Sequence, residues 1–190
     1  MNANIQKAVQ ILNSGGIIIF PTDTAMGIGC RIDNHASVDK LFTIRRRPLE
    51  QAMPVLVSSP YMALSYYTSP SVVVRRLMKE HWPGGLTIID RCKKELIYSP
   101  IRGGRETVGL RMPDHRTILQ IIEGVGVPIL GPSANFHGDP TSYSIRDLNP
   151  ELIKLVDYVV PGKCTLKQAS TVVDCSVDPY KIIRRGAIPV

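Results

Sequence analysis

The sequence predicts an α/β fold, one twisted, mixed, open sheet flanked by helices, and three observations carry that prediction. Short β-branched runs such as Ile17-Ile18-Ile19-Phe20 are bounded by glycine and proline, as buried strands are. Between such runs lie stretches with apolar residues at helical spacing, of which Ile5, Ala8, Val9 and Leu12 are the first. The two kinds of segment intersperse along the chain with no repeat, linker or low-complexity tract, so residues 1–190 are expected to form one domain.

The first helix stops at Gly15-Gly16 and feeds strand Ile17–Phe20, whose ladder Pro21 should end because it has no N–H. Asn34 can cap a second helix with Val38, Leu41 and Phe42 inward, closing on Arg45-Arg46-Arg47-Pro48. Pro54–Val57 reads as a strand. Ser59-Pro60 and Ser69-Pro70 read as cap-then-proline helix starts, the second followed by Val73, Val74, Leu77 and Met78. Trp82-Pro83-Gly84-Gly85 is a turn before strand Leu86–Ile89. Strand Val108–Met112 runs into Pro113-Asp114, and Asp114 can cap a helix carrying Ile118, Ile121 and Ile122 that ends at Gly124. Strand Val127–Leu130, the loop Gly131–Thr141 and a short helix capped by Ser144 follow. The last strands are expected at Tyr158–Val160, Thr171–Cys175 and Lys181–Arg184.

A net charge of +7 suits a polyanionic partner, nucleic acid or nucleotide phosphate, and suits a basic solvated surface equally well. The four cysteines (30, 92, 164 and 175) form no C-x-x-C pair, which removes zinc spacing and a disulfide framework and points to a reducing cytoplasm. The N-terminus has no signal pattern and no apolar run nears membrane-spanning length, so no membrane association is expected. His35, His81, His115 and His137 lack metal spacing, and neither a nucleophile elbow nor a Walker loop is present. An enzyme built on these residues would work by positioning and electrostatics rather than through a covalent nucleophile.

Four places could carry such chemistry. Thr22-Asp23-Thr24 follows a strand's C-terminal end, where open α/β sheets bind ligands, although these residues also serve as turn caps. Arg45-Arg46-Arg47 can complement a helix dipole or clamp phosphate. Gly131-Pro132-Ser133-Ala134-Asn135, with Gly138, Pro140, Thr141 and Ser142, is long for a connector and rich in small residues that let backbone N–H groups approach an anion. Arg111, inside an apolar strand, requires a carboxylate beside it, from the protein or from a ligand. Ser170-Thr171 and Arg184-Arg185-Gly186 flank the last two strands.

In order along the chain, Pro21-Thr22-Asp23-Thr24 with Gly27 and Gly29, Arg45 to Pro48, Trp82-Pro83-Gly84, Val108-Gly109-Leu110-Arg111-Met112-Pro113, Ser133-Ala134-Asn135 with Gly138, Ser170-Thr171-Val172-Val173-Asp174, and Arg184 with Gly186 resemble the YrdC-like family in its short, single-domain form. The resemblance spans nearly the whole chain. It implies synthesis of L-threonylcarbamoyladenylate and pyrophosphate from L-threonine, bicarbonate and ATP with Mg²⁺, a nucleotidyltransferase reaction serving tRNA threonylcarbamoyladenosine modification. It implies threonine contacts at Thr24, Arg111, the Gly131 backbone and Ser170. It implies ATP contacts at Arg47, Gln51, Thr107, Ser133, Thr141 and Arg184, with Arg45 and Arg47 as the catalytic charges, no protein-bound structural metal, and tRNA and tRNA-modification proteins as partners. The chain departs from the usual pattern at five places: Arg45 and Gln51 for lysine, Leu56 where some members carry histidine, Ala25-Met26 for Val-Tyr, and Gly85 for proline. The alternatives are an RNA-binding paralogue without synthase activity and a carbamoyl-transfer domain of the hydrogenase-maturation kind. The lack of accompanying domains disfavours the second.

Overall fold

The computed structural model describes residues 2–190, which build six α-helices and nine strands. Helix α1 (Ala3–Asn13) is capped by the Asn2 side chain and buries Ile5, Ala8 and Leu12 at the predicted spacing. β1 (Ile18–Pro21) follows, buried on both faces: Ile17 and Ile19 enter one core while Ile18 and Phe20 enter another. Pro21 does not stop the ladder; it is the last residue of β1, paired with Met26 of β2 (Met26–Gly29), a strand not predicted from the sequence. A proline is tolerated at that end because the pair can dispense with its N–H.

The other elements are α2 (His35–Arg45), β3 (Val55–Leu56), α3 (Pro60–Tyr66), α4 (Val72–His81), β4 (Leu86–Arg91), β5 (Thr107–Arg111), α5 (Arg116–Val125), β6 (Ile129–Leu130), α6 (Pro150–Lys154), β7 (Tyr158–Val159), β8 (Thr171–Asp174) and β9 (Lys181–Arg184). The α/β class is as expected, but the strands form two mixed sheets, ordered β2-β1-β7 and β6-β3-β5-β4-β8-β9. Within the larger one β3 and β5 are parallel, as are β4 and β8, and the remaining pairs are antiparallel.

The sheets meet where β2 crosses the β6 segment. Leu130 N donates to Cys30 O (2.9 Å), Ile28 N to Pro132 O (2.9 Å) and Ala134 N to Met26 O (2.8 Å). Pro128 and Pro132 flank β6 and offer no N–H, so this contact stays a set of isolated bridges, Gly27 to Ser133 and Arg31 to Ile129, rather than one continuous ladder. Gly29 allows the approach: a Cβ there would collide with the Leu130 carbonyl.

Several boundaries shift. The α4 cap is Ser71, whose Oγ accepts from Val74 N (3.3 Å), two residues beyond the expected Ser69. Backbone at His115, not Asp114, caps α5 without a side-chain bond, and the helix runs through Gly124 to end at Gly126, which takes the left-handed conformation (φ 78°) that glycine adopts without strain. Ser144 opens a single 3₁₀ turn, Ile145–Asp147, and α6 follows it as a separate helix. Two cores result. α1 and α5 pack on one side of β1 and β6, and α2, α4 and the inner face of the larger sheet enclose the other.

Candidate functional site

The junction of the two sheets leaves a cleft of about 720 Å³, counted out to its open mouth. Its walls come from the ends of elements: the loop after β1, the end of α2, the end of β5, the loop after β6 and the segment before β8. Short strands that stop at the same level leave backbone and polar side chains with no further ladder to join, the usual origin of a ligand crevice in open α/β sheets.

On one side, Thr22 Oγ1 accepts from Ala25 N (3.1 Å) and donates to Ala25 O (2.7 Å), closing the loop as a tight turn. The turn-cap reading of Thr22 therefore holds. Thr24 faces the cleft, and its Oγ1 accepts from Arg111 Nη1 (2.6 Å). Arg111 also donates from Nε to Gly84 O (2.9 Å) and from Nη2 to the Asp23 carboxylate, with which it forms a buried ion pair. The partner that Arg111 requires is thus supplied by the protein. Arg111 and Asp23 are only 6% and 2% exposed, and burial pulls the guanidinium pKa down from its ordinary value while Asp23 pulls it back. Asp23 Oδ2 is buried without a hydrogen-bond partner. Asp23 was expected as part of a ligand loop or a turn cap, not as the partner of Arg111; the carboxylate that Arg111 demanded was the signal that could have identified it.

On the opposite side stands Arg45, the last residue of α2 and 2% exposed. Arg46 takes a left-handed conformation (φ 52°) as the helix cap, so the chain turns there, before Pro48. The turn sends Arg46 over the Phe136 ring (4.3 Å) and leaves Arg45 and Arg47 on the cleft. Arg45 donates from Nε to Asn135 O and from Nη2 to Asn135 Oδ1, both 3.2 Å, while Nη1 is buried with no partner. No carboxylate faces it. Burial, with Arg47 nearby, lowers its pKa to about 10, so it stays cationic at neutral pH. Asn135 is held in turn by Ser133 Oγ (2.6 Å) and by its own Nδ2 donating to Asp139 O (2.6 Å).

Arg47 is tied to the backbone at Gln51 O (2.9 Å) and Ala52 O (2.7 Å). Arg184 clasps Ser170 O from Nε (3.0 Å) and Nη2 (2.9 Å), and Ser170 Oγ meets Thr87 Oγ1 (2.9 Å). Burial lowers the pKa of both arginines. Gly131 lines the floor with its N–H given to Pro54 O (2.9 Å), and a Cβ there would strike the Leu56 side chain. Thr24, Arg45, Arg47, Arg111, Gly131, Ser133, Thr141, Ser170 and Arg184 therefore share one cleft. Thr107 stands apart from them, in an adjoining compartment that shares Arg47, Ser170 and Arg184 with the cleft. The exposed Gln51 lines neither. Thr87 joins the site with no sequence signal, since an alternating strand position looks the same whichever way it faces.

No His, Cys, Asp or Glu cluster able to hold a metal ion occurs among the described residues, and the cleft wall carries arginines in place of carboxylates. Such a lining does not supply the oxygen ligands of a resident Mg²⁺. The thiols are equally unsuited to attack: all four cysteines are free, and burial raises Cys30 to about 12 and Cys175 to about 11. No described helix is long and apolar enough to cross a membrane.

A family model, Sua5_yciO_yrdC, described as Telomere recombination, matches residues 10–186. The chain is 33% identical over 186 residues to the threonylcarbamoyl-AMP synthase of Bacillus subtilis, covering 97% of this chain and 54% of that protein. It is 30% identical over 183 residues to the uncharacterised protein YciO of Escherichia coli, covering 96% and 88%. Among solved structures, Pyrococcus abyssi Sua5 complexed with L-threonine superposes with a TM-score of 0.89 at 27% identity, covering 96% of this chain and 54% of that one. E. coli YciO superposes at 0.83 and 27%, covering 96% and 88%. The chain thus spans about half the length of the B. subtilis synthase and of P. abyssi Sua5, and most of the length of YciO. By the family model and by these relatives across nearly its whole length, the chain belongs to the Sua5/YciO/YrdC family.

Proposed function

We propose that the chain folds as one domain that forms L-threonylcarbamoyladenylate and pyrophosphate from L-threonine, bicarbonate and ATP, a nucleotidyl transfer. The observation that carries this is the Arg45 Nη1, a buried donor on a group cationic at neutral pH with nothing to receive it, on the wall of a cleft lined by three further arginines. An unpaired buried guanidinium N–H costs stability unless an anion completes it. A nucleoside triphosphate is the anion that fits, since threonine carboxylate or bicarbonate alone would leave Arg47 and Arg184 unused.

In this reading threonine lies along Thr24, Arg111, Ser170 and the Gly131 backbone. Its amine, on uptake of bicarbonate and loss of water, becomes a carbamate. A carbamate oxygen attacks the α-phosphorus in line, the bond from α-phosphorus to the bridging oxygen breaks, and pyrophosphate leaves. Arg45 and Arg47 offset the charge that grows on it, while Ser133 and Thr141 donate to phosphate oxygens and Thr107 and Arg184 flank the nucleoside. Because the cleft offers no carboxylate, Mg²⁺ enters as part of the nucleotide, where it neutralises phosphate charge. The product would feed tRNA threonylcarbamoylation in the cytoplasm.

Pyrophosphate release from ATP and bicarbonate, with and without L-threonine, is the test. The reading expects threonine-dependent release, reduced by roughly 10²–10³ in kcat by Arg45→Met. The absence of release, with salt-sensitive RNA binding retained, would instead favour an RNA-binding module, a reading that draws on the net charge of +7.

A further inference from the structure

The cleft continues into a second compartment over the outer face of β4, β5 and β8, and its chemistry differs from that of the first. The two share Arg47, Arg184, Thr87, Ser170 and Pro54 at their boundary. Beyond that boundary the floor is formed by Gly109, Ile89 and Val172, with Met53 and Ile183 at its sides. Register puts Gly109 beside Ile89 and Ile89 beside Asp174, so one cross-strand row runs from bare backbone through an aliphatic side chain to a carboxylate. Gly109 makes this floor flat: a Cβ there would lie 3.2 Å from Thr87 Cγ2 and 3.5 Å from Ile89 Cγ1. A flat apolar floor suits a planar ring.

Among the described residues, Asp174 is the only carboxylate lining either compartment. Its Oδ1 accepts from Ser176 N (2.9 Å) and Ser176 Oγ (2.6 Å), which fixes the carboxylate plane, while Oδ2 has no hydrogen-bond partner among the described residues. A fixed anion repels phosphate and accepts from neutral N–H donors. It ends β8, four residues beyond Ser170, about 13 Å at strand rise, which matches the reach of a purine nucleoside whose α-phosphate sits at the shared boundary.

We infer that Asp174 selects the nucleobase: its Oδ2 accepts from the exocyclic amino group at C6 of a purine lying on Gly109 and Ile89, and rejects a purine with a carbonyl there. This rests on the triphosphate reading above. It adds a specificity residue to that site, one that touches the base and takes no part in the transfer.

Equilibrium dissociation constants of ATP and ITP, which differ at C6 in this way, provide the test, measured on the wild-type chain and on Asp174→Asn. Asparagine keeps an Oδ1 acceptor for Ser176 and can present N–H to a carbonyl. The wild-type chain should bind ATP at least roughly tenfold more tightly than ITP, the worth of one charge-assisted hydrogen bond, and D174N should bring the two within about twofold. Tripolyphosphate affinity should be unchanged, since the arginine end is untouched. A wild-type chain that does not distinguish ATP from ITP, or a D174N variant that keeps the preference, overturns the inference. So does equal loss of ATP and tripolyphosphate binding in D174N, because that is a folding effect. Selective binding without threonine-dependent pyrophosphate release would sustain the role of Asp174 while sinking the synthase reading. Release with an unaltered preference in D174N would do the reverse.

Discussion

Arg111 and Arg45 are both buried arginines on one cleft, and the protein treats them in opposite ways. Arg111 is met by the Asp23 carboxylate, by Thr24 Oγ1 and by Gly84 O, so its charge is balanced before any ligand arrives. Arg45 is met only by the carbonyl and amide oxygens of Asn135, and one nitrogen is left bare. The first arrangement holds a side chain in place. The second keeps a charge in reserve for an anion that comes and goes. Burial alone does not mark a binding residue; a buried cation without its counter-charge does.

The largest expected effect separates them by stability. Asp23→Ala leaves Arg111 charged and uncompensated, and should cost about 3–5 kcal/mol in denaturant unfolding. Arg45→Met removes a charge that faces no carboxylate, and should cost little or stabilise the unliganded chain. If the two variants lose equal stability, the distinction fails. Asp23→Leu combined with Arg111→Met should recover most of that loss, because a buried pair exchanged for apolar groups of similar volume is close to neutral. Recovery of stability without threonine-dependent activity would separate the structural from the ligand role of Arg111.

Asn135→Ala is the smaller companion: it removes the amide acceptor of Arg45 and should cost about 1 kcal/mol, the worth of a hydrogen bond, together with anion affinity. The pH dependence is subtler. Arg45 has a folded pKa of about 10, depressed from the ordinary guanidinium value, so the group's contribution to stability is absent below about 10 and appears only as pH rises from there towards that ordinary value. Anion binding has the opposite sign, since it needs the cation. Tripolyphosphate affinity should hold through about pH 9 and decline as pH passes about 10, where Arg45 loses its charge. A decline already complete by pH 8 would rule out Arg45 as its cause.

Much of this was legible in the sequence, for reasons tied to particular residues. Ile17–Phe20 announced a strand buried on both faces, and Asn34 and Ser59 capped helices as expected because a side-chain acceptor three residues before a free N–H is a local matter. The site residues converged because each sits where a strand or helix stops. β2 was missed since its two glycines serve contacts across strands: Gly27 makes room for the Phe20 ring of its neighbour β1 and Gly29 for the Leu130 carbonyl, some hundred residues away. Ser69 with its following proline read as the α4 cap, whereas the helix starts two residues later at Ser71, from which Val74, Leu77 and Met78 face the core. The division into two sheets depended on Pro128 and Pro132 interrupting a ladder that the sequence could not show was there. Asp23 was hidden because its partner is 88 positions away.

The charge of Arg45, held for a polyphosphate, should show in thermal unfolding with and without tripolyphosphate. At about one hundred times its dissociation constant, tripolyphosphate should stabilise the wild-type chain by about 2.7 kcal/mol. At that concentration Arg45→Met should gain less than about 1 kcal/mol. A variant stabilised as fully as the wild-type chain would contradict the account.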